Sequence, residues 1–90
     1  MYYVYILLLE NGDLYKGSTG DLKQRFVDHQ QGKVDSTKNK SPRLIHYECF
    51  WLKSDAQRRE RFLKTTEGRR LLHQQIRDIL QNSQSLAPLV

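Results

Sequence analysis

Ninety residues leave room for one small domain with a single core, and the longest apolar run, Val4 to Leu9, is too short to span a bilayer. The start Met1-Tyr2-Tyr3 lacks the basic region and cleavage site of a signal peptide, and the lone Cys49 cannot form an internal disulfide, so a reducing, cytoplasmic setting is expected. Every Lys and Arg behind the net charge of +5 lies from Lys16 onward, which makes nucleic acid the leading expected partner, ahead of an acidic membrane or protein surface, although such an excess also serves simply to keep a small domain soluble.

Tyr2 to Leu9 is aromatic or apolar at every position, the pattern of a strand covered on both faces at the centre of a sheet. Glu10-Asn11-Gly12-Asp13 reads as a hairpin turn and Leu14 to Ser18 as the returning strand. Two registers are open. A two-residue Asn11-Gly12 turn sets Leu8 opposite Tyr15 and Tyr5 opposite Ser18, sending Tyr5 and Tyr15 to opposite faces. A three-residue loop, Glu10-Asn11-Gly12 with Gly12 left-handed, sets Leu7 opposite Tyr15 and Tyr5 opposite Gly17; the two tyrosines then share a face, with an open spot at Gly17. Asn-Gly propensity slightly favours the first. The second is preferred because it alone gives the later charged residues a common target.

The first helix is expected to be capped by Ser18 or Thr19, to run through Asp21 to Gln31 and to stop at Gly32. Leu22, Arg25, Phe26 and His29 recur at helical spacing, which places Arg25 and His29 at the margin of the buried stripe, within reach of Gly17. The bland alternatives are an Arg25 paired with Asp21 or Asp28 and a His29 that is merely half-buried. From Gly32 to Arg43 the chain is polar, with Lys33, Lys38, Lys40 and Arg43, and reads as a mobile basic arm that contacts phosphates or as an ordinary solvated loop. Leu44 to Trp51 is the third strand, antiparallel to the first, with Phe50 and Trp51 expected in the core.

Ser54-Asp55-Ala56-Gln57 has the form of a capping box, which starts a second helix running to about Thr66. Ala56, Arg59, Glu60 and Leu63 fall on one side, making Glu60 the lone carboxylate on an inward stripe; such an acid needs an arginine partner or a metal. A third helix is expected after Gly68, with Leu72, Ile76, Ile79 and Leu80 closing the core. Residues 1–81 form the domain, and 82–90 read as a flexible tail. No repeat, zinc spacing, phosphate-cradling glycine loop or Ser-His-Asp order is present in the sequence.

Tyr3-Val4-Tyr5, Tyr15-Lys16-Gly17 with Ser18-Thr19 after it, Arg25, His29, and Glu60 followed by Phe62-Leu63-Lys64 together resemble the GIY-YIG nuclease superfamily, in particular its short single-domain bacterial members. The resemblance runs from Tyr2 to about Leu80. It implies an α/β fold of α+β type, a three-stranded antiparallel sheet flanked by helices in the order β-β-α-β-α-α, and cleavage of DNA phosphodiester bonds with a divalent metal, Mg²⁺ or Mn²⁺. Carried over residue by residue, it implies that Tyr15 activates the attacking water, that Tyr5 hydrogen-bonds nearby and that Arg25 stabilises the charged phosphorus. Glu60 would hold the metal, and His29 would be a reserve base. A phenol has a reference pKa of about 10 and needs a nearby cation, Lys16 or Arg25, or the metal, to act as a base at neutral pH. Lys16, Lys33, Lys38, Lys40 and Arg43 would contact the DNA backbone. Where many relatives carry an asparagine beyond the glutamate this chain has none between Arg61 and Gln81, and His73, Gln74 or Gln75 are the candidates for its place.

The expected function is thus an endonuclease directed by DNA structure (branched, nicked or single-stranded), with any further specificity coming from a protein partner. Its competitor is a nucleic-acid-binding module of the same fold without efficient cleavage.

Overall fold

In the computed structural model, which describes residues 1–82, the first strand, β1 (Tyr2–Leu8), is the middle of a three-stranded antiparallel sheet. Its neighbours are β2 (Leu14–Thr19) and β3 (Arg43–Phe50), in the order β2-β1-β3. Alternation along β1 sends side chains to two separate cores. Tyr5 and Leu7 face helix α1 (Leu22–Gln30) and pack with Leu9, Phe26 and Leu44; Val4 and Ile6 face helices α2 (Lys53–Leu63) and α3 (Thr66–Gln75) and pack with Ile45, Ala56, Leu63, Leu72 and Ile76. An all-apolar strand with no wet side is what that double coverage requires.

The hairpin takes the three-residue loop. Tyr5 pairs with Gly17 and Leu7 with Tyr15, the Leu9 amide donates to the Asp13 carbonyl, and the Gly12 amide donates to the Leu9 carbonyl. Gly12 has φ +91°, a left-handed conformation that a side chain would strain. On the other side of β1, the register against β3 shifts between Ile6 and Leu7, leaving Ile45 without a β1 partner; Ile45 packs in the α2–α3 core and Leu44 in the α1 core.

Several element boundaries differ from the sequence expectation. Ser18 and Thr19 remain in β2, and Asp21 caps α1 by accepting from the Gln24 amide at 3.1 Å. The Ser54 capping box does not form: α2 opens at Lys53, its cap position is Leu52 and no side chain caps it, because the chain turns into the helix directly after β3 and Ser54 already lies in the first turn. Helix α3 begins at Thr66 rather than after Gly68; Thr65 caps it through the Gly68 amide at 3.0 Å. Gly68 is buried there because a Cβ would stand 1.9 Å from the Phe62 carbonyl oxygen. The expected single third helix breaks at Ile76 and resumes as α4 (Arg77–Asn82), so Asn82 closes a helix and the rest of the expected tail lies outside the described residues. Phe50 packs on the core, but Trp51 is 81% exposed because the strand ends before it.

Helix α2 is held to the sheet on both flanks of its buried Ala56–Leu63 stripe. Toward β3, Arg59 donates to both Glu48 oxygens at 2.9 and 3.1 Å. A bond from His46, reinforced by Arg59, holds the Glu48 carboxyl down at about 2 despite its burial. Toward β2, Ser18 donates to Glu60 at 2.6 Å. Charge-assisted bonds of this kind contribute about 1.5–3 kcal/mol each, comparable to burying one more aliphatic side chain. Among the described residues no helix is long and apolar enough to cross a membrane.

Candidate active site

The face of the hairpin turned to α1 gathers Tyr5, Tyr15, Gly17, Arg25 and His29. Tyr5 is buried, and its hydroxyl lies 2.8 Å from His29 Nε2 and accepts from Arg25 Nε at 3.3 Å. The Tyr15 ring completes the cluster, 6.2 Å from the Tyr5 ring and 4.9 Å, edge-on, from His29. Gly17 does not leave an open spot, as the sequence suggested; the Tyr5 phenol fills it, and a Cβ on Gly17 would come within 2.5 Å of the Tyr5 oxygen. The glycine is required so that a full tyrosine can cross over the neighbouring strand.

His29 lies deeper than the stripe margin predicted for it, at 1% exposure. Its Nδ1 is 2.7 Å from the hydroxyl of Thr37, which is fully buried and itself donates to the Val34 carbonyl at 3.4 Å. A neutral ring fits this chain when Tyr5 donates to Nε2, Nδ1–H donates to Thr37 and Thr37 donates to the backbone. Burial, and then the Arg25 charge, push His29 down to about 4, so the ring is neutral at pH 7 with both nitrogens engaged. Burial pushes the Tyr5 phenol up to about 12 against the opposing pull of Arg25. The same Tyr5 contact raises Arg25 further, so the guanidinium stays charged.

Thr37 was invisible as a site residue in the sequence, where it sits among lysines. The one signal for it was chemical: a histidine on a buried stripe needs partners for both nitrogens, and the adjoining loop holds Ser36 and Thr37. Residues 32–43 are accordingly anchored to the fold at several points. Besides Thr37, the Glu10 amide donates to the Lys40 carbonyl at 2.8 Å and Ser41 donates to the Glu10 carboxylate at 3.3 Å, tying the loop to the hairpin turn. Lys33 and Lys38 are exposed, Lys33 lying 3.9 Å from Asp28, while Lys40 and Arg43 are half-buried where the loop enters β3.

Glu60 and Lys16 belong to the other face of β2. Alternation turns Lys16 and Ser18 toward α2 and α3, and Ser18, next in the chain to Gly17, donates to Glu60 Oε1. Lys64 reaches Glu60 Oε2 at 2.8 Å, so the partner of the acid is Ser18 and a lysine rather than a neighbouring arginine. Burial alone would raise the Glu60 carboxyl; the bonds from Lys64 and Ser18, with the charges of Lys64 and Arg61, outweigh it and hold the group below the usual carboxylate range. The site therefore straddles the edge strand, with tyrosines, arginine and histidine on one side and the acid on the other.

No cluster of three or more His, Cys, Asp or Glu able to hold a metal occurs among the described residues. Mg²⁺, however, is commonly bound by one or two carboxylates together with waters and substrate phosphates, and an ionised, part-buried Glu60 fits that use. The Lys64 contact is an i,i+4 surface pair worth about 0.3–0.5 kcal/mol, small enough for a divalent cation to displace. Of the candidates for the absent asparagine, His73 borders a hollow shared with Tyr15, whereas Gln74 and Gln75 face away beside His46 and Ile45.

Fold and site together define a nuclease-type domain, and residues 1–73 match the GIY-YIG catalytic domain: the chain belongs to the GIY-YIG family. Its relatives include a UPF0213 protein of Haloquadratum walsbyi, 36% identical over 89% of this chain and 94% of the relative. A UPF0213 protein of Bacillus pumilus is 38% identical over 71% of this chain and 67% of the relative, and one of Staphylococcus saprophyticus is 36% identical over 71% and 80%. No solved structure matches.

Proposed function

We propose that this chain is a metal-assisted endonuclease that hydrolyses phosphodiester bonds in DNA. The observation that carries the reading is the Arg25–Tyr5–His29 cluster beside Tyr15: a charged guanidinium whose plane is fixed by its Nε bond to Tyr5, next to a second phenol on the same face. Fixing the fork in advance suits it to two oxygens of a phosphate, and preorganised donors of this kind lower a barrier by about 3–4 kcal/mol each. Tyr5 remains a protonated phenol that orients Arg25, and His29 has no nitrogen left for a substrate proton. Tyr15, half-exposed on the same face, is then the phenol left to orient the attacking water, and only as phenolate, a form the Arg25 charge beside it would favour, would it take that water's proton. Glu60 would hold Mg²⁺ or Mn²⁺, which when bound supplies charge neutralisation at the leaving oxygen.

Recognition rests on phosphates and duplex shape, with Lys33, Lys38, Lys40 and Arg43 following the backbone of nicked, branched or single-stranded DNA. A second reading, a binding module without efficient cleavage, is favoured by one observation: both Glu60 oxygens already have protein partners. Incubating the protein with the three DNA forms and Mg²⁺ or Mn²⁺ separates the two. The nuclease reading expects cutting that Glu60→Ala and Arg25→Ala abolish while most DNA affinity remains; binding without cutting under either metal would leave only the module.

A further inference from the structure

We propose that the hollow between the β1–β2 turn and α3 is a second phosphate subsite, which holds the backbone phosphate adjacent to the scissile one. The inference rests on the nuclease reading above and extends it to residues outside the catalytic cluster.

The hollow has a volume of about 480 Å³, and Tyr15, Lys16, Lys64, Arg69 and His73 line it, with Asp13 as its one carboxylate. Asp13 is turned to Asn11, whose side-chain amide donates to it at 3.1 Å. Outside the hollow, Arg58 meets Asp55, Arg59 meets Glu48, Arg70 meets Glu67 and Lys33 meets Asp28, whereas Lys23, Lys38, Lys53 and Arg61 stand singly on the surface without an ion pair among the described residues. Lys16 and Arg69 make no ion pair among the described residues, although they share one concavity with Lys64.

This concentration of like charge is unfavourable in the empty protein. Burial, and then the charges of Arg69 and Lys64, lower the affinity of Lys16 for its proton, outweighing the opposing pull of the Asp13 carboxylate. An anion in the hollow would reverse that penalty, since Lys16 and Arg69 would gain a partner and their mutual repulsion would be offset, while Lys64 already has Glu60.

The geometry is also set in advance. Arg69 Nε and Nη2 donate to the Lys64 carbonyl at 3.4 and 3.2 Å, fixing the guanidinium across the junction of α2 and α3. Buried Gly68 lets that junction close, because its missing side chain leaves room for the Phe62 carbonyl. Tyr15 joins the two sites: its ring contacts His29 on the α1 side, and the residue also borders the hollow. A strand whose scissile phosphate lies at Arg25 would pass around the edge of β2 and bring a neighbouring phosphate to Lys16 and Arg69.

The test measures binding of a single-stranded DNA oligonucleotide over a salt series, and its cleavage, for the parent and for Lys16→Gln, Arg69→Gln and the control Arg58→Gln, with melting temperatures verifying that each folds. Each subsite variant is expected to weaken binding about 3- to 10-fold at low salt and to flatten the log–log salt slope by about 0.7, the single-strand value per phosphate contact. Arg58→Gln should stay within about twofold with an unchanged slope. An oligonucleotide with one uncharged methylphosphonate beside the cut should weaken the parent by the same factor and Lys16→Gln no further. Subsite variants that track Arg58→Gln in a parent that binds and cuts overturn this proposal alone. A parent with no salt-dependent affinity for DNA overturns the nuclease reading and the subsite together.

Discussion

Tyr5 and His29, 24 positions apart, meet inside the α1-side core through a 2.8 Å contact between a phenol and a neutral imidazole. A potential base is thereby converted into a support. With Nε2 accepting from Tyr5 and Nδ1 donating to Thr37, the ring transmits the position of the 32–43 loop to the phenol that orients Arg25.

Thr37→Val keeps the shape of the side chain but leaves the buried Nδ1–H of His29 without an acceptor. Urea denaturation should show a loss of about 1–3 kcal/mol. Thr37→Ser, which keeps the hydroxyl, should lie closer to the parent.

The pH dependence of His29 has a definite sign. Its folded-state pKa, about 4, lies below the reference of about 6.5, so its contribution is complete above pH 6.5 and is lost as pH falls toward 4. Between pH 7 and pH 5 this group alone should remove about 2 kcal/mol. Melting curves of the parent and His29→Gln should diverge at pH 7 and draw together toward pH 5. Parallel curves throughout would mean that the ring titrates normally.

Gly17→Ala forces a methyl group into the Tyr5 hydroxyl and should cost about 1–3 kcal/mol through displacement of that ring. Gly20→Ala is the matched control: its Cβ would meet only Tyr2, at 3.7 Å, and the change should be neutral or stabilising by up to about 1 kcal/mol. Thermal melts decide between them, and equal effects would contradict the crossing of Tyr5 over β2.

Arg25→Lys retains the charge but loses the fork and the Nε bond that orients it. Single-turnover cleavage should fall by roughly 10²–10³-fold while DNA affinity changes only a few-fold. Equal losses in the two would make Arg25 a binding residue only.

The register of the hairpin was legible because Arg25 and His29, at helical spacing, needed a shared target, and that requirement outweighed the turn propensity of Asn11-Gly12. Both faces of β1 were legible for a simpler reason, an apolar residue at every position. The start of α2 misled because Ser54 and Gln57 satisfy a local pattern whose outcome depends on how β3 delivers the chain, which no local pattern contains. Thr37 was missed on the same principle: a threonine among lysines reads as solvated until the tertiary fold places an imidazole beneath it. The division of the site between two sheet faces required knowing that β2 is an outer strand.

That outer position also bears on how the molecule behaves among copies of itself. An unpaired strand edge is a template for another strand, and proteins guard such edges with short strands, charge and covering side chains. Here β2 has only six residues, carries Lys16, and is bridged at Ser18 by Glu60 and Lys64. The charges proposed to meet phosphate at this edge also oppose the addition of a fourth strand, so neutralising them should favour self-association as well as weaken any grip on phosphate.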